Sequence, residues 1–535
     1  MTQSTKQLLS GNEAVALAAR DAGVALGAGY PGTPSTEILE NFARFGGRAQ
    51  WSPNEKVALE VGLGAAFGRA RVLVTMKHVG VNVAADPLFT AAYTGISGGL
   101  VLVSADDPGM HSSQNEQDNR NYARAAGIPA IEPADSQETY DFFHAAMELS
   151  EKWGTVVMLR LTTRVCHSKG IVAPRAEPVP PPETHFERDI PARLMLPGNA
   201  RPAHRKLRAK LAEVAAWNES APLHQERAGG TELGIITSGV TAMHVYEAAP
   251  EASVLKIGMC YPFPAERVRA FRGKVQRCLV VEEGDPYLVE CCRMAGIDVE
   301  GKPEMYRFGE LNVERVRRIL AGDTSPETPE PPGRPPQLCS DCPHRAVFGE
   351  LAEIGVVATG DIGCYTLGGR PPFNAMDTCV CMGASMGVGL GLRHVLPEDE
   401  AKKVISVIGD STFIHSGLTG LVDMVYNPPP NGHVVLVVDN ATTAMTGLQE
   451  HPGTGRKLDH TPAPQVRIED LARALGIQHV HVVDPTEDRA SFRTLIEDSL
   501  ASQELVFIVA RRPCSLAAPK IEQYEQAACA SGVNP

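Results

Sequence analysis

KVISVIGDSTFIHSGLTGLVDMVYN, residues 403–427, and HVVLVVDNATTAMTG, residues 433–447, carry the pattern that decides the fold. Each opens with an uninterrupted apolar, β-branched run of strand length, which fits a strand buried on both faces. The helical stretch between the two runs supplies the crossover that a parallel pair requires. The same alternation extends in both directions: RVLVTM (71–76), GGLVLVSA (98–105) and TVVMLRL (155–161) upstream, ELGIITSG (232–239) and RCLVVEEG (277–284) in the middle, and LVFIVARR (505–512) near the end. The sequence therefore predicts an α/β protein built on doubly wound parallel sheets.

Two proline-dense breaks divide this pattern, because such segments stay extended and cannot build a core. APRAEPVPPPE (173–183) leads into a poorly patterned stretch whose basic helical part, RPAHRKLRAKLAEVAAW (201–217), reads as a linker or surface excursion; TSPETPEPPGRPPQ (324–337) is the stronger boundary. Three α/β domains are expected, at 1–190, 231–322 and 338–520, with 191–230 and 323–337 as connections and 521–535 as a tail. The net charge of −13, without any Lys/Arg-rich block, argues against nucleic acid and anionic membrane as partners. MTQSTKQLLSGNEAVALAARDAG at the start reads as a polar segment and an amphipathic helix rather than a secretory signal. No apolar run reaches spanning length, so a cytoplasmic protein is expected. Twelve cysteines in that compartment are better read as ligands, redox groups or buried hydrophobes than as disulfides.

Ligands of open α/β folds bind at the carboxyl edge of the sheet, and two strand ends there carry chemistry: Gly409-Asp410-Ser411 and Asp439-Asn440. A carboxylate from one turn and an amide oxygen from the next can share a hard cation such as Mg²⁺, which takes oxygen ligands and bridges to phosphate groups. Asp410 taken alone could equally cap the helix that follows it. In the first third, WSPNEKVALEVGLGAAFGRARVLVTMKHVG (51–80) begins a Gly/Ala-rich helix at Glu55, with Glu60 about one turn later. A glutamate at a helix start is also what the macrodipole favours. Four cysteines complete the set: Cys339 and Cys342 in LCSDCPHR, Cys364 in GDIGCYTLGG, and Cys514 in VARRPC. Thiolates are soft ligands, and four of them suit zinc and an iron–sulfur cluster alike. Cys379 and Cys381, in DTCVCMGASMGVG, read as packing residues.

The order GDS, helix, DN-x-T-T-A-M-T-G resembles the thiamine-diphosphate motif in the version found in 2-oxoacid:ferredoxin oxidoreductases. GYPGTPSTEI (29–38), TMKHVGVNVAADP (75–87) and SADDPGMHSSQNEQDNR (104–120) resemble, nearly word for word, the large (alpha) subunit of the indolepyruvate type, so the resemblance covers most of the chain. It implies oxidative decarboxylation of a 2-oxo acid, with aryl pyruvates such as indolepyruvate and phenylpyruvate favoured. A non-oxidative thiamine-dependent decarboxylase or carboligase and a non-catalytic assembly subunit are the alternatives. By the same resemblance, 1–190 is the pyrimidine-binding domain, 338–520 the diphosphate-binding domain, and 231–322 is similar to the transketolase C-terminal domain.

The resemblance also assigns residues. Asp410, the Asn440 side chain and the Thr442 carbonyl would hold Mg²⁺, while Gly409, Ser411, Met445, Thr446 and Thr33 would line the cofactor. Glu55 would meet the pyrimidine N1′, so that the 4′-amine can take the proton from thiazolium C2. Lys77 and His78 would face the substrate, with Thr33 reaching its carboxylate; His78 and His111 read equally well as structural histidines. Cys339, Cys342, Cys364 and Cys514 would ligate one [4Fe-4S] cluster, and coenzyme A would take the acyl group. A smaller subunit would complete a heterodimer or a dimer of heterodimers, with ferredoxin or another electron-carrying subunit as the acceptor. The C-x2-C-x2-C-x3-C-P runs of the family's usual C-terminal ferredoxin-like domain do not occur in this sequence, which ends in AACASGVNP; the expectation is that another subunit carries the onward electrons, that they leave through an unusual partner, or that the chemistry has drifted from the family's.

Overall fold

In the computed structural model the described residues are 6–175, 177–328 and 335–530. They form two compact units, one ending at Thr328 and one following it. The first unit holds two main sheets. Its seven-stranded sheet runs Met259–Tyr261, Ala130–Ile131, Val157–Thr162, Gly99–Asp106, Arg71–Lys77, Leu26–Gly29, Ala49–Trp51. All neighbours are parallel except Met259–Tyr261, which lies antiparallel to Ala130–Ile131. The five-stranded sheet runs Glu300–Gly301, Arg277–Val280, Gly230–Ser238, Ala252–Ile257, Gln225–Arg227, with only the last strand antiparallel. A short antiparallel pair, Gln7–Ser10 with Lys169–Val172, accompanies them.

The second unit is built on one wholly parallel sheet of six strands: Thr378–Cys379, Val357–Gly360, Val404–Gly409, His433–Asp439, Leu505–Arg511, His479–Val483. Within its central strand, Val434, Leu436 and Val438 enter one core with Ile405, Val407 and Ile508. Val435 and Val437 enter the other core with Ile408, Phe507 and Val509. Successive side chains of a pleated strand point to opposite faces, so a strand covered on both sides has no polar position to spare; this explains the uninterrupted apolar runs. The registers Gly409 with Val438 and Asp439 with Arg511 bring the residues that follow three strands to one sheet edge.

The segment 191–230, expected as a linker or excursion, contains the helix Pro197–Asn218. Leu207 and Leu211, four residues apart on one face, are seated in the first sheet's core. Asn218 at its end donates from Nδ2 to the carbonyls of Met259 (3.1 Å) and Pro262 (2.7 Å). Of the proline-rich stretch 323–337, residues 329–334 lie outside the described residues, as do 531–535 of the tail. Among the described residues no helix is long and apolar enough to cross a membrane.

Buried charges join the two sheets of the first unit. Arg160 Nε donates to Asp106 at 2.7 Å, and the same guanidinium pairs with Glu132. Arg120 pairs with Asp118 at 2.5 Å and, from the five-stranded sheet's side, with Glu282 at 3.0 Å. All six side chains are almost fully enclosed. Charges so far from water persist only when each has a partner.

Candidate functional site

In the second unit, Asp410 follows the strand Val404–Gly409 and is buried. Its Oδ1 accepts from the Ser411 N–H at 2.9 Å, and its Oδ2 lies 3.2 Å from His451 Nε2. The Gly453 N–H donates to His451 Nδ1 at 3.2 Å, so the ring proton sits on Nε2 and is donated to Asp410. Burial alone would raise the Asp410 carboxyl; His451 and the Ser411 N–H override it and hold it below its ordinary value. Asp439, at the end of the adjacent strand, is pushed up to about 6, first by burial and then by the charge of Asp410, although Arg511 Nε donates to its Oδ2 at 2.7 Å.

Beyond Asp439 the chain turns sharply. Ala441 takes φ 58°, a left-handed conformation uncommon for a residue with a side chain. The Thr442 N–H donates to Asn440 Oδ1 at 3.3 Å. Asn440 and Thr442 are buried, and Thr443 Oγ1 donates to Ser411 Oγ at 3.0 Å, tying the two loops together. Thr446 Oγ1 donates to Gln449 Oε1 at 2.6 Å, whereas Met445 is half-exposed. Two adjacent buried carboxyls with an amide oxygen beside them form a donor set that fits a hard divalent cation, whose charge would relieve their mutual repulsion.

The glycine before Asp410 has a steric reason. A Cβ on Gly409 would lie 2.6 Å from Tyr365 Cε1, so only glycine lets the ring pass. The Tyr365 hydroxyl donates to Asp361, which is wholly buried and thereby pushed up to about 6.

The four cysteines are neighbours. Burial pushes the Cys364 thiol up to about 12, and the nearby Cys342, Cys514 and Cys339 add to the shift. Cys342 is raised by burial and then by Cys339 and Cys514. The Cys342 N–H donates to the Cys339 carbonyl at 3.2 Å, closing a turn, and the Cys514 N–H donates to the Asn440 carbonyl at 2.9 Å. Among the described residues no three His, Cys, Asp or Glu side chains converge into a closed metal cage. The thiols lie near enough to influence one another without enclosing a centre, and by residue type they suit a group that binds thiolates. Cys379 and Cys381, expected as packing residues, are exposed, and Cys379 ends the edge strand Thr378–Cys379.

In the first unit, Glu55 is the first residue of the helix Glu55–Phe67, capped by Asn54, whose side chain accepts from the Val57 N–H at 2.9 Å. Glu55 is 5% exposed, whereas the Glu60 side chain is 43% exposed and paired with Lys56. A Cβ on Gly80 would meet Glu55 Oε1 at 2.6 Å, so the carboxyl lies directly against that glycine. Lys77 ends the strand Arg71–Lys77, donates to the Ser112 carbonyl, and is lowered to about 8 by burial. His78 Nε2 lies 3.1 Å from the Asn115 carbonyl, while its buried Nδ1 has no hydrogen-bond partner. Gln117 and Asn119 side chains donate to the His78 carbonyl at 2.9 and 3.1 Å, so 112–119 wraps over Lys77 and His78. Thr33 is half-buried in the turn after Leu26–Gly29, the strand adjacent to Arg71–Lys77. His111 is half-exposed, 3.5 Å from Glu310.

Sequence reasoning missed Asp439 as a partner of Asp410, the Asp361–Tyr365 pair, His344 and His451. His451 stands in QEHPG, just past the motif, where only a loop return could bring it onto Asp410.

Comparison with known proteins adds the following. Residues 17–202 match the family described as pyruvate flavodoxin/ferredoxin oxidoreductase, thiamine diphosphate binding. Residues 361–510 match the thiamine pyrophosphate enzyme, C-terminal TPP binding domain. The chain is 40% identical to indolepyruvate oxidoreductase subunit IorA of Methanothermobacter thermautotrophicus, covering 96% of this chain and 88% of that one. It is 36% identical to the same subunit of Pyrococcus horikoshii, covering 96% and 86%. Among solved structures, 2-oxoglutarate:ferredoxin oxidoreductase from Magnetococcus marinus, with 2-oxoglutarate, coenzyme A and succinyl-CoA bound, is similar in fold. Its TM-score is 0.52 at 17% identity, over 59% of this chain and 65% of that one.

Proposed function

The chain belongs to the family of indolepyruvate oxidoreductase IorA subunits, thiamine-diphosphate-dependent 2-oxoacid oxidoreductases, and from that premise we propose that it converts an aryl pyruvate and coenzyme A into the acyl-CoA and CO₂. Two electrons leave one at a time through a [4Fe-4S] cluster, to ferredoxin or another electron-carrying subunit. A smaller subunit completes the complex. The observation that carries the oxidative reading is the neighbourhood of four thiols whose Cys514 is hydrogen-bonded to the Asn440 loop. A thiamine enzyme that only decarboxylates has no use for a one-electron acceptor there.

The chemistry that thiamine diphosphate supplies when bound is a thiazolium carbon able to hold the electron pair released as a 2-oxo acid loses CO₂. The rest falls to this chain's residues. Asp410 and Asn440, with the Thr442 carbonyl, would hold Mg²⁺ against the diphosphate, and Gly409, Ser411 and the 445–446 turn would leave room for it. Glu55 would hold the proton at N1′. Lys77 and His78, under the 112–119 segment, would meet the substrate with Thr33, in surroundings from which water is largely excluded. Cys339, Cys342, Cys364 and Cys514 would ligate the cluster.

The test is an anaerobic assay of the purified complex against a panel of 2-oxo acids, with coenzyme A and a viologen dye. Dye reduction that depends on both an aryl pyruvate and coenzyme A is the expected result. Aldehyde formation without dye reduction would replace the oxidative reading by a decarboxylase.

Two variants probe the cation ligands and the Glu55 carboxyl separately. Asp410→Ala is expected to raise the Mg²⁺ needed for half-maximal activity by at least on the order of 100-fold, because it removes a ligand rather than a group supporting one. A Mg²⁺ titration unchanged from the parent would rule the cation site out. In Gly80→Ala the three atoms nearest the new methyl are Glu55 Oε1, Cγ and Cδ, at 2.6, 2.7 and 2.9 Å, so the Glu55 side chain must move aside, and circular dichroism checks that the variant is folded. By displacing that carboxyl it should lower turnover about 100-fold, the usual order for an ångström of misplacement. Parental turnover in Gly80→Ala would mean that the position of Glu55 is immaterial.

A further inference from the structure

Asn440 is held from two directions, and each holding segment carries a cysteine of the thiol group. On one side is His344, two residues past Cys342 and the first residue of the helix His344–Ile354, buried, with Nε2 3.4 Å from Asn440 Nδ2. On the other, the Cys514 N–H donates to the Asn440 carbonyl at 2.9 Å. The third segment arrives through Tyr365, next to Cys364, whose ring packs edge-on to His344 with centroids 6.3 Å apart. Every segment that contributes a thiol therefore touches Asn440 or the histidine against it.

An amide can offer either end to a neighbour, and only its nitrogen can donate to an imidazole lone pair. With Nδ2 engaged by His344, Asn440 Oδ1 is the end left for a cation, consistent with its accepting the Thr442 N–H at 3.3 Å. Groups that orient a metal ligand without touching the metal are worth about ten- to a hundredfold in metal affinity.

Building on the reading of Asp410 and Asn440 as Mg²⁺ ligands and of the four cysteines as cluster ligands, we propose that His344 is a positioning residue that couples the two sites. A filled cluster fixes the Cys342–His344 turn, His344 orients the Asn440 amide, and the chain then binds Mg²⁺ with the diphosphate. Cluster assembly thus precedes cofactor loading in effect, and a chain without its cluster is a poor thiamine diphosphate binder at ordinary Mg²⁺.

The test is equilibrium dialysis of thiamine diphosphate across a Mg²⁺ series, with iron counted in parallel, on the anaerobic complex before and after iron is stripped by a chelator. Three proteins are compared: the parent, His344→Ala, and His344→Gln, whose Oε1 can accept the same amide N–H. In the parent, stripping iron should raise the Mg²⁺ requirement about ten- to a hundredfold. His344→Ala with iron intact should already show that higher requirement, and stripping it should add little, while His344→Gln should titrate close to the parent. The coupling is overturned if iron-loaded His344→Ala titrates like the parent, or if stripping iron shifts His344→Ala as far as it shifts the parent. Should His344→Ala fail to hold iron, iron-loaded His344→Gln decides: parental titration supports the coupling and the iron-stripped titration overturns it. A parent that binds neither iron nor thiamine diphosphate overturns the underlying site reading instead, and the coupling with it.

Discussion

Glu55→Gln should retain thiamine diphosphate binding within a few-fold and lose hydrogen exchange at the thiazolium C2 by about 10²- to 10⁴-fold, the range a positioned acid–base group contributes. The amide fills the same space at the start of Glu55–Phe67, and the Asn54 cap that begins the helix is untouched. Removing the negative charge from the helix start costs about 0.3–1 kcal/mol. A 10²- to 10⁴-fold loss corresponds to about 3–5 kcal/mol in the barrier, so a folding defect of that size cannot imitate the chemical one. Exchange measured by NMR on the cofactor-loaded complex separates the two: a folded variant exchanging as fast as the parent would remove Glu55 from the proton relay. Glu60 is a weak substitute, because it is largely exposed and already paired with Lys56.

If Cys339, Cys342, Cys364 and Cys514 ligate one cluster, as proposed, Cys514→Ser should cost the chain that cluster and, with it, acyl-CoA formation. Parental protein prepared without oxygen is expected to carry about four irons per chain, with the brown colour of a thiolate-held cluster. Cys514 lies far along the sequence from Cys339 and Cys342, yet the strand Leu505–Arg511 runs parallel to His433–Asp439 and delivers it onto Asn440. Serine keeps the backbone N–H that bonds Asn440, so thiamine diphosphate should still bind at saturating Mg²⁺. With no acceptor for the electron pair left when CO₂ departs, the unoxidised decarboxylated substrate can still take up a proton there, and slow release of aldehyde should replace the thioester. Zinc in place of iron in the parent, or full oxidative turnover in Cys514→Ser, would remove the cluster from the reaction.

Most of the architecture was legible because burial on both faces of a parallel strand leaves a signature one strand long: 404–409, 433–439 and 505–511 are interior strands where apolar runs stand. Asp410, Asn440 and the four cysteines were legible as residue types at strand ends and turns, and the structure gathers them at one edge of the second unit's sheet. What could not be read depends on where loops return. His451 reaches Asp410 through a loop with no periodicity of its own, and His344 is significant only because Asn440 lies against it. Cys379 and Cys381 misled because a cysteine in an apolar stretch resembles a core residue, and nothing local marks Thr378–Cys379 as an edge. The amphipathic stripe of Pro197–Asn218 was hidden by its many basic residues, among which Leu207, Leu211 and Val214 are the buried apolar ones.

The strand Met259–Tyr261 and the Arg120–Glu282 pair bear on how such a chain can be inherited. The strand leaves the five-stranded sheet's part of the sequence to cover the edge of the seven-stranded one, and Arg120 balances its charge against a carboxylate from the other side. A recombination event that exchanged the five-stranded sheet's segment alone, Met259–Tyr261 included, would bare the edge at Ala130–Ile131, open to pairing with another chain. It would also strand a buried charge at a cost of about 3–5 kcal/mol, a large share of what holds a domain folded. The first unit is therefore a single heritable piece: its two sheets can diverge together, but neither can be traded for a stranger's.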